Sequence, residues 1–298
     1  MRVLVVGASG FIGRHLVLAL ARANHTVTGV FHRDESFPAF AREAGAHPEK
    51  CDLVRDDQEW DQEVCVYLAG NSNHAWSLAQ PLEDMEMNLV ALNRFLRGFS
   101  GNLIFLSSAA VYEGHRGSVT PDARVYPSLP YAISKLASEG YVHHYHNTGE
   151  LAGFLILRLY YAYGPGERAG RLIGSLCRKV LLGGQRTFPV AGTGDSIIDP
   201  LYIDDVVDAL VRALPHSASG GIYDLCAGQP RDVRQAIRDV AAVGGISVEI
   251  QPDPNRKEVP VRFWSDPSAA RKALGLPPAM PLRDGVRAYL DWLEGGGA

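Results

Sequence analysis

The chain has 298 residues, of which 46% are hydrophobic and 21% charged, with a formal net charge of −4. Such a chain builds its core without disulfides or structural metal. Its charge excludes partners held by bulk positive charge, such as nucleic acid or an anionic membrane.

The opening "MRVLVVGASG" contains a short apolar run, "VLVV" (3–6), closed by Gly7. It is too short and too glycine-broken for the apolar region of a secretion signal. "FIGRHLVLALARA" (11–23) then has apolar residues at helical spacing, and "TVTGVF" (26–31) reads as a second strand. Strand, glycine-rich turn, helix and strand within about thirty residues are the span of a βαβ unit. "VCVYLA" (64–69), "LIFLS" (103–107) and "FLILRLYY" (154–161) are further strands of the buried type. "PLEDMEMNLVALNRFLRGF" (81–99) predicts a helix, with Pro81 at its start and Gly98 near its end. Apolar strands alternating with helices predict an α/β fold, a doubly wound parallel sheet covered on both faces.

After residue 164 the texture changes. "YGPGERAG" is a Gly/Pro-rich break, the elements shorten, and the end "EGGGA" is expected to fray. The expected plan is a dinucleotide-binding domain at 1–164 and a smaller C-terminal substrate-binding α/β portion at 165–298. Residues 195–225, with the helix "IDDVVDALVRAL" (203–214), are expected to rejoin the main sheet. No stretch reaches 18 uninterrupted apolar residues, so no spanning helix is expected. Cys51, Cys65, Cys177 and Cys226 show no ligand spacing and read as free thiols of a reducing cytoplasm.

Gly7, Gly10 and Gly13 form G-x-x-G-x-x-G between strand and helix, with Phe11 and Ile12 opening the helix. Glycines there let the backbone approach a pyrophosphate, and the helix N-terminus offers amides and a favourable dipole. The second strand ends Phe31-His32-Arg33, with no acid at 31 to hold the ribose hydroxyl of NAD. Arg33 accommodates a 2′-phosphate, so NADP is preferred over NAD. The competing reading leaves Arg33 in solvent and gives the ribose to Asp34 or Glu35. Asp52 and Leu53 stand where they reach the adenine, though Asp also favours turns.

"YAISK" (131–135) places Tyr131 and Lys135 at i and i+4, on one helix face. A tyrosine titrates near ~10, and a fixed ammonium beside it stabilises the phenolate and lowers that value. Such a tyrosine exchanges a proton with an alcohol or carbonyl oxygen. Upstream, "FLSSAAVY" (105–112) ends a strand in Ser107-Ser108. Strand C-termini face the ligand crevice of open α/β sheets, where Ser108 orients a substrate oxygen or, in the plainer reading, caps its own turn.

The glycine turn, "SSAAVY", "YAISK" and "RLYYAYGPG" together resemble the extended short-chain dehydrogenase/reductase family, and within it the nucleotide-sugar epimerases, dehydratases and ketoreductases. The resemblance runs over nearly the whole chain and implies a Rossmann-type fold. It implies Tyr131 as acid/base, Lys135 as its partner and ribose ligand, and Ser108 on the reacting oxygen. It places Leu68, Ala69, Gly70 and Asn88 along the cofactor, and Ser108, Ala109, Tyr161 and Arg256 along the substrate. It also implies a homodimer acting on a small-molecule substrate, a nucleotide-sugar, and the free thiols make the expected location cytoplasmic.

Three departures narrow the reaction. Ala109-Ala110 replace the Asp-Glu with which dehydratases of the family eliminate water. Tyr161 stands where the family has an Asn on the substrate diphosphate, and Ile198 where it has an Arg. Arg256, Arg262, Arg168 or Arg171 compensates, or the substrate is bound differently, down to a non-nucleotide carbonyl compound. A 4-epimerase with bound NAD and a 4-ketoreductase with dissociable NADPH both remain open, as does a non-catalytic NAD(P)-binding regulator. "HHYH" (143–146) lacks a carboxylate or Cys at ligand spacing and is read as surface or interface, and Asp204-Asp205 as helix capping.

Overall fold

Successive side chains of a strand point to opposite faces, and β1 (Arg2–Val6) divides its residues accordingly. Val3 and Val5 enter one core, Leu4 and Val6 the other. The computed structural model describes residues 1–253 and 260–296. From β1 the chain runs through α1 (Phe11–Arg22), β2 (Thr26–Phe31), α2 (Phe37–Glu43), β3 (His47–Lys50), β4 (Val64–Tyr67), α3 (His74–Ala79) and α4 (Pro81–Met85). A π turn (Glu86–Val90) joins α4 to α5 (Ala91–Arg97), so the helix expected over 81–99 forms with an irregular middle. Then come β5 (Asn102–Ser108), β6 (Arg116–Val119), α6 (Pro130–Asn147), β7 (Gly153–Leu159) and β8 (Tyr161–Tyr163).

Beyond residue 164 lie α7 (Leu172–Leu176), β9 (Thr187–Ala191), β10 (Ile197–Ile198), β11 (Pro200–Tyr202), α8 (Ile203–Ala213) and β12 (Ile222–Leu225). They are followed by β13 (Arg231–Asp232), α9 (Val233–Val243), β14 (Glu249–Asp253), β15 (Arg262–Ser265), α10 (Ser268–Leu274) and α11 (Leu282–Glu294).

The main sheet has seven strands in the order β12-β7-β5-β4-β1-β2-β3, all parallel. This is the Rossmann-type doubly wound arrangement. The order reverses between β1 and β4, and at such a switch point the strand C-termini open a crevice. Within residues 195–225 only β12 enters the main sheet, as an edge strand on β7. β10 pairs with β13 and β11 with β8 in separate two-stranded sheets. Helix α8 packs against α1. The run "FLILRLYY" is likewise divided: β7 stops at Leu159, and β8 leaves the main sheet to pair with β11. Among the described residues no helix is long and apolar enough to cross a membrane.

Candidate active site

The glycine turn sits at the C-terminal end of β1. Gly7 has φ +85°, the left-handed region that favours glycine, and a Cβ there would lie 2.7 Å from the Ala69 nitrogen. A Cβ on Gly13 would run into the Gly7 carbonyl, so this glycine lets α1 close on the turn. Gly10 differs: a Cβ on it would meet nothing nearer than the Gly7 oxygen at 3.3 Å. It caps α1 without a side chain. The amides of Phe11 and Ile12 find no acceptor among the described residues. Open space over unpartnered amides at a helix start fits a pyrophosphate.

The other wall is the C-terminal end of β4. Leu68 extends the strand by a bond to the Val6 carbonyl (2.8 Å), Ala69 backs Gly7, and Gly70 has φ +136°. Asn88 lies against Gly70, and its buried side-chain oxygen has no partner among the described residues. The Asn88 amide donates to Asp84 (2.9 Å), a fully buried carboxylate that also accepts from Asn71 (2.7 Å) and from Ser134 of α6 (2.9 Å). Asp84 thus ties the π turn to the helix bearing "YAISK", an organising residue with no motif to announce it.

At the adenosine end, Arg33 is exposed and makes no ion pair among the described residues. Asp34 is engaged by Ser36 (2.6 Å) and Arg14 (2.7 Å), which hold its carboxyl below the usual range. Glu35 pairs with Lys50 (2.7 Å). Asp52 builds a turn, accepting from the Val54 amide (3.1 Å), and faces His32 at 3.6 Å. Leu53 packs against the core beneath.

The proton-transfer candidates meet at the end of β5. Ser108 is its last residue; the hydroxyl accepts from the Ala110 amide (3.1 Å), and the side chain stands close enough to Tyr131 to act on its titration. Pro130 starts α6, so Tyr131 and Lys135 lie in its first turns, both buried. Lys135 donates to the Leu106 carbonyl (3.0 Å), and its ammonium lies 4.9 Å from the centre of the Phe105 ring. Burial lowers it to about 8. Lys135 was expected to lower the titration of Tyr131, and the structure does not show this. Burial raises Tyr131, while Ser108 and the charge of Arg171 oppose that rise. The ammonium of Lys135 is spent on the strand carbonyl and the ring beneath it.

His74 begins α3, which Asn73 caps by accepting from the Trp76 amide (3.1 Å). Its ring lies over Tyr131, with centroids 4.7 Å apart and planes 32° apart. Burial keeps His74 below its ordinary value. The Asn73 cap is the sequence signal for this helix.

On the substrate side Ala109 is buried at the start of a 3-10 turn (Ala109–Tyr112). The Tyr161 hydroxyl accepts from the Leu172 amide (3.2 Å), and the Arg171 guanidinium lies 4.6 Å from the centre of its ring. Arg262 pairs with Asp195 (2.7 Å), Arg168 is exposed, and Arg256 lies outside the described residues. Asp199, beside Ile198, is buried and accepts from the Gly228 (2.8 Å) and Gln229 (3.1 Å) amides. Asp205 bonds the Met280 amide (2.9 Å), tying α8 to the C-terminal segment instead of capping its own helix. His143 and His146 pack edge-on against Phe154.

Helix α6 is anchored by a buried network. Arg158 of β7 grips Glu139 with two bonds, Nη2 to Oε2 at 2.7 Å and Nε to Oε1 at 3.0 Å. Ser107 also donates to Glu139. Arg158 reaches Tyr112 (2.8 Å), whose hydroxyl donates to Asp224 (2.8 Å) on β12.

The model of the NAD dependent epimerase/dehydratase family matches residues 3–226. The chain is similar to GDP-6-deoxy-D-mannose reductase of Pseudomonas aeruginosa, 29% identical over 98% of this chain and 97% of that protein. It is also similar to UDP-glucose 4-epimerase of Mycolicibacterium smegmatis, 30% identical over 99% of each. Among solved structures, UDP-glucuronic acid 4-epimerase from Bacillus cereus, in complex with UDP-glucuronic acid and NAD, superposes with a TM-score of 0.87. It is 25% identical, and the match covers 99% of both chains.

Proposed function

The chain belongs to the NAD dependent epimerase/dehydratase family, and from that premise we propose that it is an NAD(P)-dependent oxidoreductase of nucleotide-sugars, a 4-ketoreductase or 4-epimerase. The observation that carries this is the meeting of Ser108, Tyr131 and Lys135 at the end of β5, in the crevice that the glycine turn opens. A nicotinamide cofactor, when bound, supplies or takes the hydride at a sugar carbon. The chain's own part is the proton. Tyr131 gives it to the carbonyl oxygen, or takes it from the hydroxyl in the reverse direction. Ser108 holds that oxygen and offsets the charge developing on it. Lys135 keeps a positive charge under the site at neutral pH. Ala109-Ala110 offer no acid or base for elimination, which counts against a dehydratase. The test is NADPH oxidation with UDP- and GDP-linked 4-keto sugars, together with interconversion of UDP-sugars with NAD. Cofactor binding without turnover of any member sinks the enzymatic reading in favour of a regulator.

The free guanidinium of Arg33 beside the engaged Asp34 and Glu35 favours NADP(H), and with it the reductase. Arg33→Ala is expected to weaken NADP by about 10-fold, the loss of one charge-assisted contact, and to leave NAD unchanged. Calorimetric titration of both cofactors decides it, and unchanged discrimination removes Arg33 from the role.

We further propose a homodimer through α4, the π turn and α6, which pack together. Leu82 is 60% exposed and Ile133 48%, with Met85, Met87, Val90 and Tyr141 also exposed alongside. A contiguous apolar surface of this kind marks an interface. Light scattering is expected to give twice the 32.4 kDa chain mass, and Leu82→Glu to reduce it to one. A wild-type monomer at micromolar concentration rules the dimer out.

A further inference from the structure

Arg171 is placed where a substrate would be read, and its bonding is incomplete. It stacks on Tyr161, two residues beyond Leu159, whose Cα is in register with Ser108. The guanidinium therefore lies beyond the C-terminal ends of β5 and β7, near enough for its charge to act on Tyr131 and His74. A guanidinium carries five N–H donors in a planar fork. Among the described residues Arg171 makes one hydrogen bond, a long one from Nη2 to the Ala162 carbonyl at 3.5 Å. Its Nε has no acceptor within hydrogen-bond distance, because the nearest carboxylate oxygen, on Glu167, is 3.6 Å away. The side chain is about one-third exposed, whereas Glu167 is buried. Burial pushes Glu167 up to about 7, so its charge only partly cancels that of the arginine near neutrality. The charge of Arg171 also reaches Tyr131 and His74.

A hexose ring carries its diphosphate on carbon 1, across the ring from carbon 4. Carbon 6 is attached to carbon 5, the immediate neighbour of carbon 4. An arginine at the reacting end therefore stands away from the diphosphate and near the substituents of carbons 3 and 5, of which only an oxidised carbon 6 carries a negative charge. A fork with unused donors matches a carboxylate there. We propose that Arg171 is a specificity-determining residue that selects nucleotide-linked sugars bearing a carboxylate next to the reacting carbon, that is, uronic acids. This rests on the nucleotide-sugar reading above.

The test is calorimetric titration of the cofactor-saturated protein with UDP-glucuronic acid, UDP-glucose and UDP, and with GDP-mannuronic acid, GDP-mannose and GDP. In whichever base series binds, the uronic acid is expected to bind at least ~10-fold tighter than the neutral sugar, the worth of a hydrogen-bonded charge pair. Arg171→Met is expected to erase that preference while leaving the nucleoside diphosphate and cofactor affinities as they were, which also certifies the fold. Arg171→Lys keeps the charge without the fork and is expected to retain part of the preference. Equal affinity for uronic acid and neutral sugar in the wild type overturns the proposal. So does a loss in Arg171→Met that falls alike on both sugars and the free diphosphate, since the arginine then serves the diphosphate. If no nucleotide or nucleotide-sugar binds in either series, the broader reading fails and this one with it.

Discussion

Tyr131→Phe is expected to lower turnover at least ~100-fold while leaving cofactor affinity within about 2-fold. The change removes one oxygen and nothing else. The ring still fills its buried slot under His74 and on α6, so the fold and the crevice persist. On the proposed reading Ser108 still holds the substrate oxygen, but no proton relay stands behind it, and water must supply the proton. Burial disfavours the Tyr131 phenolate, so the residue is protonated at neutral pH and has a proton to give, although it is a weaker acid than a free phenol. In the proposed reduction of a carbonyl that proton is already in place; in the reverse direction it must first be lost. Lys135 loses its charge as the pH passes about 8, and turnover is expected to fall above that point. Steady-state rates across pH with saturating cofactor check both statements. A Phe variant that turns over near the wild-type rate removes Tyr131 from the chemistry.

Glu139→Ala is expected to cost roughly 3–5 kcal/mol of stability, because it leaves a buried guanidinium without its counter-ion. The pair is bidentate and both side chains are only 4% exposed, so water cannot take the place of the carboxylate. For a chain of this size the melting temperature falls by about 10 °C. The loss extends to activity, since Glu139 lies one turn beyond Lys135 and, through Ser107, next to Ser108. Replacing both partners at once, Glu139→Leu with Arg158→Met, is expected to cost less than Glu139→Ala alone, because no charge is then stranded. Calorimetric melting of the three proteins measures this. A loss below about 1 kcal/mol for Glu139→Ala means the network is solvated and does not anchor α6.

The features legible in the sequence are those written in local periodicity. Buried strands such as "VLVV" and "VCVYLA" carry their own signal, and so do the glycine turn and the i, i+4 spacing of Tyr131 and Lys135. Ser108 was legible because it ends a strand, and strand ends face the crevice. What stayed hidden depends on residues far apart in the chain. Asp34 is withdrawn by Arg14, twenty positions upstream. Asp84 holds Asn71, Asn88 and Ser134 together. No spacing rule places Arg158 on Glu139, because the contact exists only once α6 packs against β7. The titration of Tyr131 was misjudged for the same reason. Two residues on one helix face are neighbours by geometry, but burial and the Leu106 carbonyl decide where the ammonium points.

The return of Ile222–Leu225 to the edge of the main sheet also bears on how the chain assembles. The cofactor-binding layer is finished by a strand made after the break at residue 164, and α1 is covered by α8, which is also made late. A parallel strand pairing across so long a loop is paid for in closure entropy before it is rewarded, and it slows folding. Cutting the chain at residue 164 would leave an open apolar edge on β7 and a bare face on α1, and the fragment is expected to aggregate instead of standing alone.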